Sequence, residues 1–186
     1  MHILVVYGTA TGQTRKIVEF LAERWRERSH TVELRDAAHL PWRFAPTGFD
    51  RIVVASCVRQ GEYRRSVERF VRRYRDALAA VPTVFLSVSM AAANVLNRDD
   101  ARRWLRNWDE AFYQKTGWKP AHVEHVAGAL KFTRYNPVTL WFMRRIALEQ
   151  GYETDTTRDH EHTDWAALAA FADTLASPSE AVATAA

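Results

Sequence analysis

The sequence predicts an α/β domain: a doubly wound, five-stranded parallel sheet with helices on both faces and an insertion before the last helix. Three observations predict it. Apolar runs of strand length alternate with apolar stripes of helical spacing, the order of βαβ units. The runs are nearly continuous, as in strands covered on both faces. The 186 residues are 47% hydrophobic and 26% charged, which suits one domain with a full core.

The elements follow in order. Ile3 to Tyr7 is a first strand, and Thr31 to Leu34 a second, shorter one. Between them Ile17, Phe20, Leu21 and Trp25 mark one buried side of a helix. Pro41 and Pro46 place a loop before a third strand, Arg51 to Ser56. After a turn at Gly61, the residues Val67, Phe70, Val71, Tyr74 and Leu78 trace a single helical stripe. Thr83 to Val88 is a fourth strand and Ala121 to Leu130 a fifth, separated by a helix carrying Ala101, Trp104, Leu105, Trp108 and Phe112. The last helix runs through Trp165, Leu168, Ala172 and Leu175, with Thr163 or Asp164 as its N-cap. One domain over 1–176 is expected, with an inserted segment at 131–156 and a disordered tail at 177–186.

Composition narrows compartment and partners. No apolar run approaches the roughly 20 residues of a membrane-spanning helix. The chain enters its first strand without a basic leader, so a cytoplasmic protein is expected, with peripheral contact at the inner face of the membrane left open. The single cysteine, Cys57, permits no internal disulfide. The formal net charge of +4 favours anionic partners, although basic proteins are common and such a charge also serves solubility. Nucleic acid is not expected among the partners.

The chemistry-bearing motif is Thr9-Ala10-Thr11-Gly12-Gln13-Thr14, between the first strand and the first helix. A bound phosphate needs several donors and no opposing charge. Three threonine hydroxyls and the loop amides can donate, and the loop has no acid. Gly12 lets the chain curl so that amides converge, and a helix N-terminus favours an anion. A dinucleotide fingerprint would need three glycines, where this loop offers only Gly8 and Gly12; a nucleoside-triphosphate loop would need Gly-Lys-Ser/Thr. The plainer alternative is a polar turn with a threonine cap. In doubly wound sheets ligands bind beyond the carboxyl ends of the strands, so the loops after Tyr7, Ser56 and Val88 are the candidate site loops.

In this region the chain resembles the flavodoxins, whose Ser/Thr-x-Thr-Gly-x-Thr pattern matches Thr9 to Thr14. The resemblance implies FMN as cofactor and no metal. Three further stretches look like the menaquinone-dependent protoporphyrinogen IX dehydrogenases, flavodoxin-like enzymes of haem synthesis. They are Ser56 to Tyr63, Ala127 to Tyr135, and the insertion closing with Glu153-Thr154-Asp155-Thr156. That resemblance covers Ile3 to about Leu175. It implies oxidation of protoporphyrinogen IX through FMN, with menaquinone or ubiquinone as acceptor. A flavodoxin-like electron carrier and a flavin-dependent quinone reductase are the alternatives.

The implied cofactor-binding residues are Thr9, Ala10, Thr11, Gly12, Gln13 and Thr14 at the phosphate; Ser56, Cys57, Val58, Arg59, Gly61 and Tyr63 after the third strand; Ser87, Val88, Ser89, Met90 and Ala91 after the fourth; and Thr154 and Asp155. A cation at Arg59 would stabilise a reduced, anionic ring, whereas Cys57 reads as a buried, inert thiol. The substrate's propionates and apolar ring call for cations beside aromatics. The insertion supplies Lys131, Arg134, Arg144 and Arg145, with Phe132, Tyr135, Trp141 and Phe142. Its segment Val138 to Leu148, with Pro137 in the first turn, predicts a helix that lies on a membrane surface or packs on the domain or a second subunit. His122 and His125 face opposite sides of a strand, and His160 and His162 are expected in solvent.

Overall fold

The computed structural model describes residues 1–93 and 98–176. The tail predicted at 177–186 lies outside the described residues. Five parallel strands form the sheet: β1 (His2–Gly8), β2 (Thr31–Asp36), β3 (Arg51–Arg59), β5 (Thr83–Ser89) and β6 (His122–Ala127), in the order β2-β1-β3-β5-β6. A short β4 (Glu62–Tyr63) turns back antiparallel on β3. This order reverses direction between β1 and β3, the switch point where doubly wound sheets open a crevice.

Burial on both faces explains the continuous apolar runs. Ile3, Leu4, Val5 and Val6 of β1 are all fully buried. Ile3 and Val5 pack with α1 (Gln13–Glu27) and α6 (Trp165–Ala176), where Trp25 donates its indole N–H to the Ala172 carbonyl at 2.9 Å. Leu4 and Val6 pack on the opposite face, with α2 (Arg65–Arg73) and α4 (Arg98–Thr116). There Phe85 and Phe112 stack with centroids 4.8 Å apart, an arrangement worth about 0.5–1.5 kcal/mol beyond area burial.

The single helical stripe from Val67 to Leu78 is broken. Tyr74, at φ −116° and ψ 22°, separates α2 from a short α3 (Arg75–Ala79), and its hydroxyl donates to the Phe44 carbonyl. The stripe survives because Phe70, Val71 and Leu78 still share one core.

The predicted fifth strand, Ala121 to Leu130, is also two pieces. β6 ends at Ala127, and β7 (Ala129–Leu130) pairs instead with β8 (His160–Glu161). Gly128 joins the two: its amide donates to the Ser89 carbonyl at 3.1 Å and its carbonyl accepts from His162 N–H at 3.0 Å. The insertion therefore leaves and returns at one point. It contains a 3-10 turn at Phe132–Arg134 and α5 (Pro137–Glu149). Asn136 caps α5 through Thr139 N–H at 2.8 Å, and Pro137 occupies the first turn, where no amide donor is needed. A small core of Leu130, Phe132 and Ala147 holds the segment together. For the last helix Asp164 is the cap, accepting from Ala167 N–H at 2.9 Å.

Candidate cofactor site

The carboxyl ends of β1, β3 and β5 bring the three predicted loops to one edge of the sheet. β1 ends on Gly8 because α2 starts against it: a Cβ there would lie 2.6 Å from Val67 Cγ2 and 2.9 Å from Arg64 Cβ. The next residues form the loop expected to hold an anion. Thr9 Oγ1 accepts from Gly12 N–H at 3.0 Å, and Gly12 takes φ +95° to enter α1. Side chains other than glycine's rarely adopt that angle, which accounts for the residue. No side chain caps α1 and its first turn has no acid, so its amides face no competing acceptor of their own.

Two polar atoms in this loop are buried without a hydrogen-bond partner, Thr14 Oγ1 and Gln13 Oε1. The Thr14 hydroxyl lies beside the Cys57 thiol, a weak partner at best. Leaving such groups unpaired costs about 1–3 kcal/mol each, a cost a ligand at this edge would relieve; the Thr14 hydroxyl can donate to an anion, whereas Gln13 Oε1 can only accept. Gln13 is oriented from far away in sequence. Its amide donates to Thr163 Oγ1 at 2.9 Å, and Thr163 donates to the Ala127 carbonyl at 2.8 Å.

The loop after β3 is a tight hairpin. Gln60 and Gly61 both have positive φ, 54° and 78°, as a two-residue turn matching strand twist requires. Val58 pairs with Tyr63 and Arg59 with Glu62 across it. Tyr63 turns inward: its hydroxyl is 2.8 Å from Ser87 Oγ and also donates to Asp109 of α4. Burial, then Asp109, drive the phenol far above its ordinary range, so it stays protonated. Tyr63 thus anchors the hairpin from below. Ser56 Oγ accepts from Arg64 N–H at 3.0 Å, tying the end of β3 to the start of α2. Cys57 is half-buried, and burial pushes its thiol up.

At the end of β5, Ser87, Val88 and Ser89 are buried, and Ser89 Oγ has no hydrogen-bond partner among the described residues. Met90 leads into the 3-10 turn Ala91–Ala93. Its carbonyl accepts from Ala93 N–H at 2.9 Å and from the Tyr152 hydroxyl at 2.6 Å.

The insertion approaches these loops in a way the sequence leaves hidden. Arg134 donates from Nη1 to the Thr11 carbonyl at 3.0 Å, so it braces the phosphate loop. Tyr135 is half-buried, which raises its phenol, and it feels the Arg59 cation. Lys131 is drawn to Asp159 at 3.7 Å. Asp155 is held below the usual carboxylate range, chiefly by hydrogen bonds from Thr157, and Arg158 lies 3.3 Å away. Thr154 is half-buried. Phe132 is buried in the insertion's own core and offers no surface to a substrate. Trp141, at 65% exposed, Arg144 and Arg145 lie outward on α5, with Arg145 paired to Glu149 at 2.9 Å.

The histidines divide. His122 stacks on Phe171 while His125 pairs with Asp109 at 3.2 Å on the other face. His160 is not in solvent: it is buried, edge-on to Phe132, with Nε2 2.8 Å from the Asp155 carbonyl. His162 Nε2 lies 3.2 Å from Glu153. Pairing of β8 with β7 draws both inward.

A parallel sheet in this strand order, with helices on both faces and a threonine-rich loop after its first strand, defines a flavodoxin-like fold. The profile of the Flavodoxin domain family matches residues 4–157, and the chain belongs to that family. It is 27% identical over 179 residues to a protein of Escherichia coli (strain K12) named protoporphyrinogen IX dehydrogenase [quinone], with 95% of each chain covered. A Leishmania major protein of the same name is 27% identical over 177 residues, covering 93% of this chain and 74% of the relative. Among solved structures, a short-chain flavodoxin associated with a non-canonical PDU bacterial microcompartment is 14% identical, with a TM-score of 0.47, covering 95% of this chain and 99% of that one.

Proposed function

We propose that this chain is an FMN-dependent oxidoreductase that oxidises protoporphyrinogen IX to protoporphyrin IX and passes the electrons to a membrane quinone, menaquinone or ubiquinone. The observation that supports this most is the name shared by relatives that match nearly the whole chain, insertion included. The joining of that insertion to the cofactor loops, at Arg134–Thr11 and Tyr152–Met90, agrees with it.

The donor set fits the phosphate of FMN. Thr14 Oγ1 and the uncapped amides of α1 would hold it, with Thr9, Ala10, Thr11 and Gly12 shaping the cradle. Residues 57–61 and 88–91 would flank the ring. When bound, FMN supplies the redox chemistry, and the protein's part is placement and charge. Arg59 would bring positive charge to the ring's edge. Tyr63 and Ser87 keep the hairpin in place.

A quinone acceptor resides in a membrane. Among the described residues no helix is long and apolar enough to cross one. α5 offers another route: Val138, Trp141, Phe142 and Leu148 are exposed beside Arg144 and Arg145. Aromatic and basic groups together suit the headgroup region, which supports peripheral contact there.

The test is anaerobic addition of protoporphyrinogen IX to FMN-loaded protein. Bleaching of the flavin absorbance with appearance of porphyrin fluorescence is expected; a quinone added next should restore the flavin absorbance, be reduced to the quinol, and let the porphyrin fluorescence grow further. An unbleached flavin would reject the reading; reduction only by a protein reductase would favour an electron carrier.

A further inference from the structure

The cations predicted to meet an acidic substrate are, apart from Arg144, already engaged: Lys131 by Asp159, Arg134 by the Thr11 carbonyl, Arg145 by Glu149. A different set is not. Between the β3–β4 hairpin and the start of α2 lies a cavity of about 390 Å³, lined by Ala38, Arg59, Gln60, Arg64, Arg65 and Arg69 among others. Among the described residues none of these four guanidinium groups is in an ion pair. The acid in the lining, Glu62, is taken up by Lys115 at 2.9 Å, which holds its carboxyl below the usual range. Glu68 of the same helix is likewise turned toward Lys115, at 3.9 Å.

Four guanidinium groups around one concavity make a positive field that favours an entering anion; the acid in the lining, Glu62, is bonded to Lys115 and offsets only part of the field, at Arg65. Arg64 at the N-cap of α2 supplies no side-chain cap, but Val67 N–H donates to the Arg64 carbonyl at 2.9 Å and Glu68 lies in the first turn, so the arginines rather than the helix end set this field. The planar guanidinium fork matches a carboxylate in two parallel hydrogen bonds. Arg59 and Tyr63 belong both to this cavity and to the hairpin assigned to the flavin ring. A ligand anchored here would therefore reach the ring from the α2 side.

We propose that this cavity is a carboxylate-binding subsite, in which Arg65 and Arg69 hold an acidic arm of the organic substrate while Arg59 stands between it and the flavin. The assignment of the acid to a porphyrin rests on the function proposed above; the subsite itself does not. It separates acid recognition from α5, leaving α5 to make the apolar contact.

Binding of mesoporphyrin IX, a dicarboxylate, and of its neutral dimethyl ester would be measured on the FMN-loaded protein in one neutral detergent. The parent should prefer the diacid by about 10-fold or more, the size expected of a charge-assisted pair. The double variant Arg65→Gln/Arg69→Gln should lose that preference with FMN content and ester affinity unchanged, and Arg72→Gln, elsewhere on α2, should keep it. Citrate should compete against the diacid in the parent alone. Equal affinity for diacid and ester in the parent, or an unchanged preference in the double variant, would overturn the subsite. So would dependence on Arg65 and Arg69 seen only with anionic phospholipid vesicles. A parent that prefers the diacid yet fails to oxidise protoporphyrinogen would support the subsite and reject the enzyme reading. Turnover without acid preference would do the reverse.

Discussion

The Tyr152 hydroxyl donates to the Met90 carbonyl at 2.6 Å, across 62 residues of sequence. This bond clamps the insertion onto the loop that follows β5, one of the loops expected to flank the flavin. Half-burial pushes the phenol up to about 12, so it donates throughout the physiological range. Tyr152→Phe removes the donor and little volume, and the Met90 carbonyl keeps its bond from Ala93. A loss of about 0.5–1.5 kcal/mol is expected, or roughly 2–4 °C in melting temperature per kcal/mol. Thermal melts with and without FMN check it. The loss should be larger with FMN, because the flavin then depends on the clamped loop.

Arg144 and Arg145 lie outward on α5 beside exposed Trp141 and Phe142. Replacing both arginines with alanine should reduce binding to vesicles of anionic lipid by up to about 30-fold, since each basic residue near such a surface contributes about 1 kcal/mol. FMN content should not change. Co-sedimentation with vesicles at two salt concentrations measures the effect, and equal binding by parent and variant would remove the role.

Acid should act through Asp173. Arg24 and Arg28 hold its carboxyl well below the usual range, with Arg24 Nε 2.6 Å away. A depressed carboxylate contributes stability above its unfolded value, near 4, and loses that contribution as pH falls through the folded value. The parent should therefore melt higher than Asp173→Asn near neutral pH, and the gap should close as pH drops below about 4. A gap that widens in acid would contradict the pairing.

The strands were legible because burial on both faces leaves an unbroken apolar signature, as at Ile3 to Val6 and Ile52 to Ala55. The turn at Gly12 that opens α1 was legible because the small, polar run Thr9 to Thr14 follows an apolar strand directly. What stayed hidden depends on long-range pairing. Nothing local marks Gly128 as a break, since Val126 to Leu130 remains apolar but for that residue. His160 lies in a polar stretch and is buried only because Phe132 and Asp155 fold over it. Thr163 looks like a helix cap, yet it serves Gln13, 150 residues away. Arg134 looks like a substrate cation, and only the return of the chain through β7 and β8 brings it to Thr11.

The Thr14 hydroxyl, buried and without an ordinary partner, carries the central claim that this loop receives a phosphate. Thr14→Val keeps the shape and removes the donor. Without cofactor the variant should be at least as stable as the parent, since it removes a buried hydroxyl that has no ordinary partner. The decisive measurement is the ratio of dissociation constants for riboflavin and FMN, which differ by the phosphate alone. The parent should favour FMN strongly, and Thr14→Val should shrink that preference about 10-fold while riboflavin affinity stays put. A parent that binds the two flavins equally, or a variant with the full preference intact, would contradict the account.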